Sequence, residues 1–151
     1  MQIEIETFVA APPPVVFETL ANFANWPQFM SGIARMEMLT TGPVAVGSRF
    51  RETRTMLGKS ASEEMEVAEM TAPHRIVLTA HNHGTDYRIA HMLAAAAEGT
   101  QLSLQFAGTP VTLAARLFAP LGWLFAGSVR KQIAKDLGDL KREAERHHAT
   151  A

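Results

Sequence analysis

Six polar residues that could do chemistry lie among apolar residues in the middle of the chain: Glu52, Arg54, Glu63, Asn82, Tyr87 and His91. A histidine can act as a general base near neutral pH, or donate a hydrogen bond that orients a ligand. A guanidinium can bind a carboxylate or a carbonyl oxygen, and a tyrosine hydroxyl can donate to a carbonyl. His91 and Tyr87 are therefore the candidate catalytic residues if the chain is an enzyme. The spacing gives no nucleophile, base and orienting group together, so no catalytic residue is assigned.

Each of these residues also has a purely structural interpretation. Arg54 and Glu63 can pair with each other at the rim of a sheet. Arg51 and Glu66 can do the same on its outer face, where such pairs contribute about 0–1 kcal/mol. His91 can be a hydrogen-bonded residue of the sheet, and the amide and hydroxyl groups nearby can cap a cavity wall. The alternative role for the arginine is to anchor a carboxylate or carbonyl of a bound ligand, and both interpretations stay open.

The histidines and acidic residues do not form a recognisable metal site. His81 and His83 share one face of a predicted strand, but His91 points to the opposite face and no acidic residue completes a ligand set. The chain contains no cysteine, and its glycines lack the strand-to-helix context of a phosphate-binding loop. We therefore expect no metal and no cofactor.

The composition is that of one globular domain over residues 1–151. Hydrophobic residues make up 47% and charged residues 19%, with a formal net charge of -1, so no basic footprint for nucleic acid is present. The N-terminus lacks the pattern of a signal peptide. Arg116, Pro120 and Gly122 interrupt the most apolar stretch, Val111 to Val129, which argues against a membrane-spanning helix. A cytoplasmic protein without a transmembrane segment is expected.

The first part of the chain predicts one strand, two short helices and a second strand. Apolar residues alternate with polar ones from Ile3 to Val9, which is the period of a half-buried strand. Pro12-Pro13-Pro14 ends that strand, and helical spacing follows from Val15 to Phe23. Asn25-Trp26-Pro27 indicates the start of a second short helix, and Ile33–Thr40 has the composition of a strand.

From Gly47 to Thr109 the pattern predicts successive antiparallel strands. They are joined by turns at Gly58-Lys59, Thr71-Ala72-Pro73, His83-Gly84 and Glu98-Gly99. A long amphipathic helix then runs from Leu121 to Glu145. Its apolar stripe comprises Leu121, Phe125, Val129, Ile133, Leu137, Leu140 and Ala144. Its interspersed charges, Asp136 and Asp139 among them, are typical of a solvated helix face.

The turns predict which residues face each other across the strands. They pair Arg54 with Glu63, Phe50 with Val67, Val67 with Ile76, Leu78 with Ile89, Ala80 with Tyr87, and His91 with both Ile76 and Phe106. One sheet face then carries Phe50, Met56, Met65, Val67, Ile76, Leu78, Ile89, Leu93, Leu102, Leu104 and Phe106. This face is the predicted core side, and it also holds the six polar residues introduced above. A buried unpaired charge is costly, so these groups are expected to be paired or to face a ligand.

This order of elements resembles the helix-grip fold of the START-like (SRPBCC) superfamily, and local sequence is similar to its polyketide cyclase/dehydrase branch. The similarity rests on Ala11–Phe17, Asn25–Phe29, Val46–Phe50, Glu69–Arg75 and Gly99-Thr100. The resemblance implies an α+β fold in which a curved antiparallel sheet of about seven strands wraps around a long C-terminal helix, with two short helices after the first strand. That branch shares no catalytic set, so it transfers no catalytic residue to this chain.

The resemblance and the residues together predict binding of a hydrophobic small molecule (a lipid, quinone, polyketide or aromatic compound) between the sheet and the last helix. The predicted ligand-binding residues are Phe50, Arg54, Glu63, Met65, Leu78, Asn82, Tyr87, Ile89, His91, Leu104, Phe106 and Phe125. A polyketide cyclase or dehydratase that uses the same cavity is the alternative, with His91 removing a proton and Tyr87 or Arg54 stabilising an enolate. A third possibility is a protein-interaction module.

The segment from Leu113 to Phe125 contains more large apolar residues than one helix stripe needs. It either packs inside the grip of the sheet or covers the cavity and makes a transient contact with a membrane or a protein. The sequence leaves the oligomeric state and the identity of the ligand open.

Overall fold

The computed structural model describes residues 1–56 and 58–150, with Met56 described by its backbone alone. Strand β1 (Gln2–Val9) is followed by helix α1 (Pro13–Ala21), a 3-10 turn (Phe23–Asn25) and helix α2 (Trp26–Phe29). Six strands come next: β2 (Ile33–Met38), β3 (Arg49–Met56), β4 (Lys59–Thr71), β5 (Arg75–Asn82), β6 (Thr85–Ala96) and β7 (Gly99–Pro110). The chain ends with helix α3 (Leu113–Phe118), a 3-10 turn (Ala119–Gly122) and helix α4 (Trp123–Thr150).

The seven strands form one antiparallel sheet in the order β1-β7-β6-β5-β4-β3-β2. Consecutive strands are neighbours from β2 to β7, and β1 closes onto β7 at the other end. Helix α4, 28 residues long, lies against the inner face, and α1 and α2 fill one end. The predicted α+β helix-grip architecture is confirmed, including the two short helices after the first strand.

Two predicted turns are displaced by one residue, which moves the strand register by two. Met56 pairs with Lys59, so Lys59 belongs to β4 and not to the β3–β4 turn; Leu57 lies outside the described residues. Ala96 pairs with Gly99, which puts the β6–β7 turn at Ala97-Glu98. Because side chains alternate with a period of two, an even shift keeps every residue on its predicted face.

The observed pairs accordingly differ from the predicted ones wherever a turn has moved. Phe50 pairs with Met65 and not with Val67. The β4–β5 connection has moved as well, since Thr71 pairs with Arg75, and Val67 therefore pairs with Leu78 and not with Ile76. His91 pairs with Leu104 and not with Phe106, and Leu93 pairs with Leu102 and not with Leu104. The β5–β6 hairpin has the predicted register, with Ile76 opposite His91, Leu78 opposite Ile89 and Ala80 opposite Tyr87. A bulge between Val67 and Glu69 shifts the end of β4.

The core lies between the inner sheet face and the helices. Phe23, Trp26 and Phe50 form its aromatic centre, where Phe23 stacks on Phe50 with ring centroids 4.8 Å apart. Trp26 also donates from Nε1 to the carbonyl oxygen of Leu20 at 3.0 Å. These contacts fix α1 and α2 against β3, because a buried indole N–H needs a partner.

The C-terminal half of α4 is tied to the rest of the molecule by polar contacts. Lys141 Nζ donates to the carbonyl oxygen of Phe8 at 2.7 Å, and the Ala10 amide donates to Glu145 at 2.8 Å. Asp139 is buried and accepts from the Ser31 amide at 3.2 Å. The prediction that Asp139 belongs to a solvated face is therefore wrong, since it joins α4 to the loop after α2.

The predicted apolar stripe of the last helix faces inward only in part. Leu137, Leu140 and Ala144 are buried and Ile133 packs on them, whereas Leu121 and Phe125 are more than half exposed. The inward stripe therefore begins at Val129, two turns later than predicted. No helix in the part of the chain that the structure describes is long and apolar enough to span a membrane.

Candidate functional site

A cavity of about 340 Å³ lies between the inner sheet face and α4. Apolar side chains from every layer line it: Leu20, Trp26, Met30, Met65, Leu78, Ile89, Leu104, Phe106, Val129, Ile133, Leu137 and Leu140. Its polar lining residues are Glu52, Arg54, Ser62, Glu63, Asn82, His91, Gln132 and Asp136, and Ala61 completes it. An apolar chamber with a few convergent polar groups is the usual form of a small-molecule site.

Nine of the twelve residues predicted to bind a ligand line this cavity: Arg54, Glu63, Met65, Leu78, Asn82, Ile89, His91, Leu104 and Phe106. Phe50 does not, because it is completely buried behind the wall and stacks on Phe23. Phe125 is 64% exposed and points away from the cavity. Tyr87 lies beyond Phe106, at 5.7 Å between ring centroids, and lines a separate cavity beneath α3.

Arg54 is the centre of the polar cluster, and its partners differ from the predicted one. Its Nε donates to Glu52 at 2.5 Å, and its Nη1 and Nη2 donate to the two carboxylate oxygens of Asp136 at 3.3 and 2.7 Å. With its carbonyl oxygen turned toward the guanidinium, Gln132 accepts from Nη1 at 2.9 Å and from Nε at 3.0 Å. The predicted pair of Arg54 with Glu63 does not form.

The ion pair predicted on the outer face, Arg51 with Glu66, also has a different partner in the structure. Arg51 donates to Glu64 at 2.8 Å, and not to Glu66, because the register of β3 and β4 has moved by two residues. Arg49 also lies 3.6 Å from the Glu64 carboxylate. These side chains are well exposed, so the pairs lie on the outer surface and are not part of the polar cluster in the cavity.

The cavity holds three carboxyl groups for one guanidinium. Burial raises the pKa of Glu52 and of Asp136, although the nearby Arg54 opposes the shift. Burial also raises the pKa of Glu63, and repulsion from Glu52 adds to it. Burial opposes the charge of Arg54, but hydrogen bonding to Asp136 and attraction to Glu52 leave its pKa raised. The arginine therefore stays charged and the cluster carries excess acid.

His91 is only 5% exposed, and it faces this cavity from β6. Burial lowers its pKa to about 4, against a smaller effect from its hydrogen bond to the Ile76 backbone. The neutral imidazole donates from Nδ1 to the Ile76 carbonyl oxygen at 3.4 Å. In this tautomer Nε2 is an acceptor, and it has no hydrogen-bond partner among the described residues.

Four polar residues of the cavity are not among the predicted ligand-binding residues: Glu52, Ser62, Gln132 and Asp136. Glu52 was placed on the inner face, and the structure confirms that position, with 6% exposure. Asp136 was interpreted as part of a solvated helix face, which is wrong, because its side chain is 17% exposed and bound to Arg54. Its position three residues after Ile133 and beside Leu137, on the inward stripe, was the available signal.

The other histidines lie away from the cavity. His81 and Asp86 contact each other at 2.6 Å on the outer face, where both side chains are more than half exposed. Across residues 1–56 and 58–150, no group of three or more histidines and acidic residues is arranged to hold a metal ion.

Comparison with known families identifies the class of protein that this fold and cavity define. A family model described as polyketide cyclase/dehydrase and lipid transport matches residues 1–145, and the chain belongs to that family. No curated protein matches the sequence significantly.

Several solved structures share the fold. The di-domain ARO/CYC StfQ from the steffimycin biosynthetic pathway aligns with a TM-score of 0.78 and 16% identity, over 97% of this chain and 51% of that one. The Zhui aromatase/cyclase from Streptomyces sp. R1128 gives 0.76 and 20%, over 97% and 94%. The major latex-like protein 151 from Panax ginseng gives 0.72 and 10%, over 98% and 97%. At these identities the likeness establishes the fold and not the ligand.

Proposed function

We propose that residues 1–151 act as one domain that binds a hydrophobic small molecule in the central cavity. The carrying observation is the cavity itself. Its volume of about 340 Å³ lies in the range of roughly 300–1,000 Å³ that is usual for ligand sites. Apolar side chains from the sheet, α1, α2 and α4 line it, and its polar groups gather around Arg54 and His91. A lipid, quinone, polyketide or other aromatic compound fits such a chamber.

Among these compounds, one whose polar end donates a hydrogen bond, such as a phenol or an alcohol, fits the cavity better than one that ends in a carboxylate. Arg54 was a candidate anchor for a ligand carboxylate, but Glu52, Asp136 and Gln132 already accept its hydrogen bonds. What the cavity offers instead is acceptors: carboxylate oxygens and the Nε2 atom of His91. A ligand carboxylate would add a fourth acid to the cluster, which costs free energy at low dielectric. A phenol or alcohol donates to the same groups without that cost.

Two measurements test this function. Native mass spectra of freshly purified protein, before and after extraction with organic solvent, are expected to show an extra mass that solvent removes. Calorimetric titration with 2-naphthol, naphthalene and 2-naphthoate compares ligands that share one ring system. We expect 2-naphthol to bind at least tenfold more tightly than 2-naphthoate. Equal or reversed affinities would overturn the assigned polarity, and absence of both an extra mass and any titration would overturn the cavity-binding role.

The second candidate is a polyketide cyclase or dehydratase that uses the same cavity. The favouring observation is His91, a neutral histidine whose Nε2 is unpartnered and faces an apolar chamber. It would remove a proton from the carbon between two carbonyls, and the electron pair would move onto a carbonyl oxygen as an enolate. The enolate carbon would then attack another carbonyl carbon of the chain, and the alkoxide formed would take the proton held by His91. Removal of a second proton from the adjacent carbon by His91, and its transfer to the departing hydroxyl, would form the double bond and release water. Tyr87 lies outside the cavity, so its predicted role at the enolate is dropped.

Turnover of a poly-β-keto thioester separates the two candidates. An enzyme is expected to give a cyclised product and to lose at least a hundredfold of its rate in His91→Gln, with 2-naphthol binding retained within about threefold. A binding protein gives no product with either form. Full activity in His91→Gln would remove the histidine from the mechanism.

The same proposal includes a cytoplasmic location and a transient contact through Leu113–Phe125. Exposure of this segment supports the contact, because a segment that only closed the core would be buried. Fractionation of cells that express the protein tests the location.

A further inference from the structure

The segment 113–125 presents an unusual concentration of exposed apolar side chains. It comprises α3, the 3-10 turn after it and the first three residues of α4. Its large side chains are 51–77% exposed: Leu113, Leu117, Phe118, Leu121, Trp123, Leu124 and Phe125. Single exposed apolar residues are ordinary, but a contiguous group of this kind marks an interaction surface.

Mostly small residues of this segment line its contact with the sheet, and of the large ones only Phe118 does so. Ala114, Ala115, Phe118, Ala119 and Gly122 line the cavity beneath α3, against Tyr87 and the β6–β7 strands. A helix that served to close the core would have the reverse arrangement, with large apolar side chains inward. The exposed large side chains of segment 113–125 are therefore not explained by incomplete packing of the core.

The charged residues of segment 113–125 and of the sequence next to it have one sign. The sequence from residue 99 to residue 135 contains no aspartate or glutamate, but it contains Arg116, Arg130, Lys131 and Lys135. The chain as a whole has 14 basic and 15 acidic residues, so this separation is local. An apolar surface bordered by cations is complementary to anionic lipid headgroups.

The geometry of α4 also favours lipid over a folded partner. Trp123, Leu124 and Phe125 are consecutive, and successive residues of a helix point about 100° apart. All three are more than half exposed, so the helix end is apolar around most of its circumference. One rigid protein face covers one side of a helix, whereas a fluid bilayer surrounds an inserted end. Tryptophan is also favoured at the membrane interface.

We propose that segment 113–125 docks the protein on an anionic membrane surface, with Trp123 and Phe125 inserted and Arg116, Arg130 and Lys131 at the headgroups. This names the partner of the contact proposed above. Val129, one turn after Phe125 on α4, lines the central cavity. The docked face therefore adjoins the cavity, and a hydrophobic ligand can pass between cavity and bilayer with little exposure to water; this last step rests on the proposed ligand binding.

Flotation with vesicles tests the docking. We expect the protein to float with vesicles of phosphatidylcholine mixed with phosphatidylglycerol, to bind pure phosphatidylcholine at least tenfold less, and to be released by high salt. Trp123→Ser/Phe125→Ser is expected to lose binding to both vesicles by tenfold or more. Arg116→Gln/Arg130→Gln/Lys131→Gln is expected to lose the preference for the anionic vesicles. Val46→Ser is the matched control, because Val46 is 62% exposed but lies far from the segment in sequence, before β3.

Other outcomes overturn the proposal. If wild-type protein does not float but is a dimer that Trp123→Ser/Phe125→Ser converts to a monomer, a second copy covers the segment. If Trp123→Ser/Phe125→Ser still floats with the vesicles, the membrane contact lies outside this segment. Circular dichroism of each variant checks the fold, and native mass spectrometry checks whether a cavity ligand is kept. Docking and ligand binding can therefore fail independently.

Discussion

Arg54 on β3 and Asp136 on α4 form a two-point ion pair that joins the sheet to the long helix across the cavity. The Nη1–Oδ1 and Nη2–Oδ2 distances are 3.3 and 2.7 Å, and the side chains are 15% and 17% exposed. Glu52 holds the guanidinium from the sheet side at 2.5 Å. The pair sets the position of α4 relative to β3, and it occupies the cation that would otherwise bind an acidic ligand.

Arg54→Met is expected to lower the free energy of unfolding by about 3 kcal/mol, because it leaves Glu52 and Asp136 buried without their counter-ion. The triple variant Glu52→Gln/Arg54→Met/Asp136→Leu removes the charges together and is expected to recover most of that loss. Urea denaturation measures all three proteins. Arg51→Met breaks an exposed pair on the same strand and is expected to cost at most about 1 kcal/mol. A triple variant less stable than Arg54→Met would contradict the interpretation.

Acid is expected to destabilise the wild-type protein relative to His91→Gln. Burial lowers the pKa of His91 to about 4, while an unfolded histidine has a pKa of about 6.5. Above pH 6.5 neither state is protonated and the difference between the two proteins is constant. As the pH falls from 6.5 to 4, the unfolded wild type gains a proton that the folded protein does not, and up to about 3 kcal/mol is lost.

The carboxyl groups of the cavity have the opposite effect on how stability changes with pH. The raised pKa values of Glu52, Glu63 and Asp136 favour proton uptake by the folded state in acid, which stabilises it as the pH falls. These groups are present in both proteins, so the comparison isolates His91. Urea denaturation at pH 7 and pH 4.5 provides the measurement, and parallel pH profiles would show that the histidine is not held neutral.

Much of the fold could be predicted from short-range patterns. Alternation fixed the inner face of the sheet, and the turn at His83-Gly84 gave the true register of β5 and β6. The turns next to Gly58 and Gly99 were each misplaced by one residue, because a glycine can occupy a turn or end it. Both errors moved the register by two, so the inner face was correct while the partners of Phe50, Arg54 and His91 were not.

More of the cavity's lining residues than of its ion pairs could be predicted from the sequence. Residues of β3 to β7 were found because strands place alternate side chains on one face. Gln132 and Asp136 were not found, since a polar residue on an apolar helix stripe looks the same in sequence whether it is solvated or paired inside. Only the packing of α4 over β3 shows that Asp136 meets Arg54. The exposure of Phe125 likewise depends on where α4 leaves the sheet, which helical spacing does not reveal.

Gly99→Ala is expected to lower the free energy of unfolding by about 1–3 kcal/mol through overpacking. A Cβ atom at this position would lie 2.3 Å from the carbonyl oxygen of Val9, and backbone cannot move aside easily. Gly127→Ala is the matched control, because nothing lies within 4 Å of its added Cβ on α4. That substitution is expected to stabilise the protein by roughly 0.5–1 kcal/mol through helix propensity. Equal effects in urea denaturation would contradict the close contact of β1 with the start of β7.

Ile133→Trp is expected to abolish ligand binding by filling the cavity. Ile133 is half-buried on α4 and lines the chamber, so a larger ring system there competes with the ligand for the same volume. Titration with 2-naphthol is expected to show at least a tenfold loss of affinity, whereas Ile133→Leu keeps the side-chain volume and is expected to change it by less than threefold. Stability in urea checks that the tryptophan is accommodated by the open space and does not displace α4. If Ile133→Trp binds 2-naphthol as tightly as the wild type, the ligand occupies a different site, and the cavity beneath α3 beside Tyr87 becomes the place to test next.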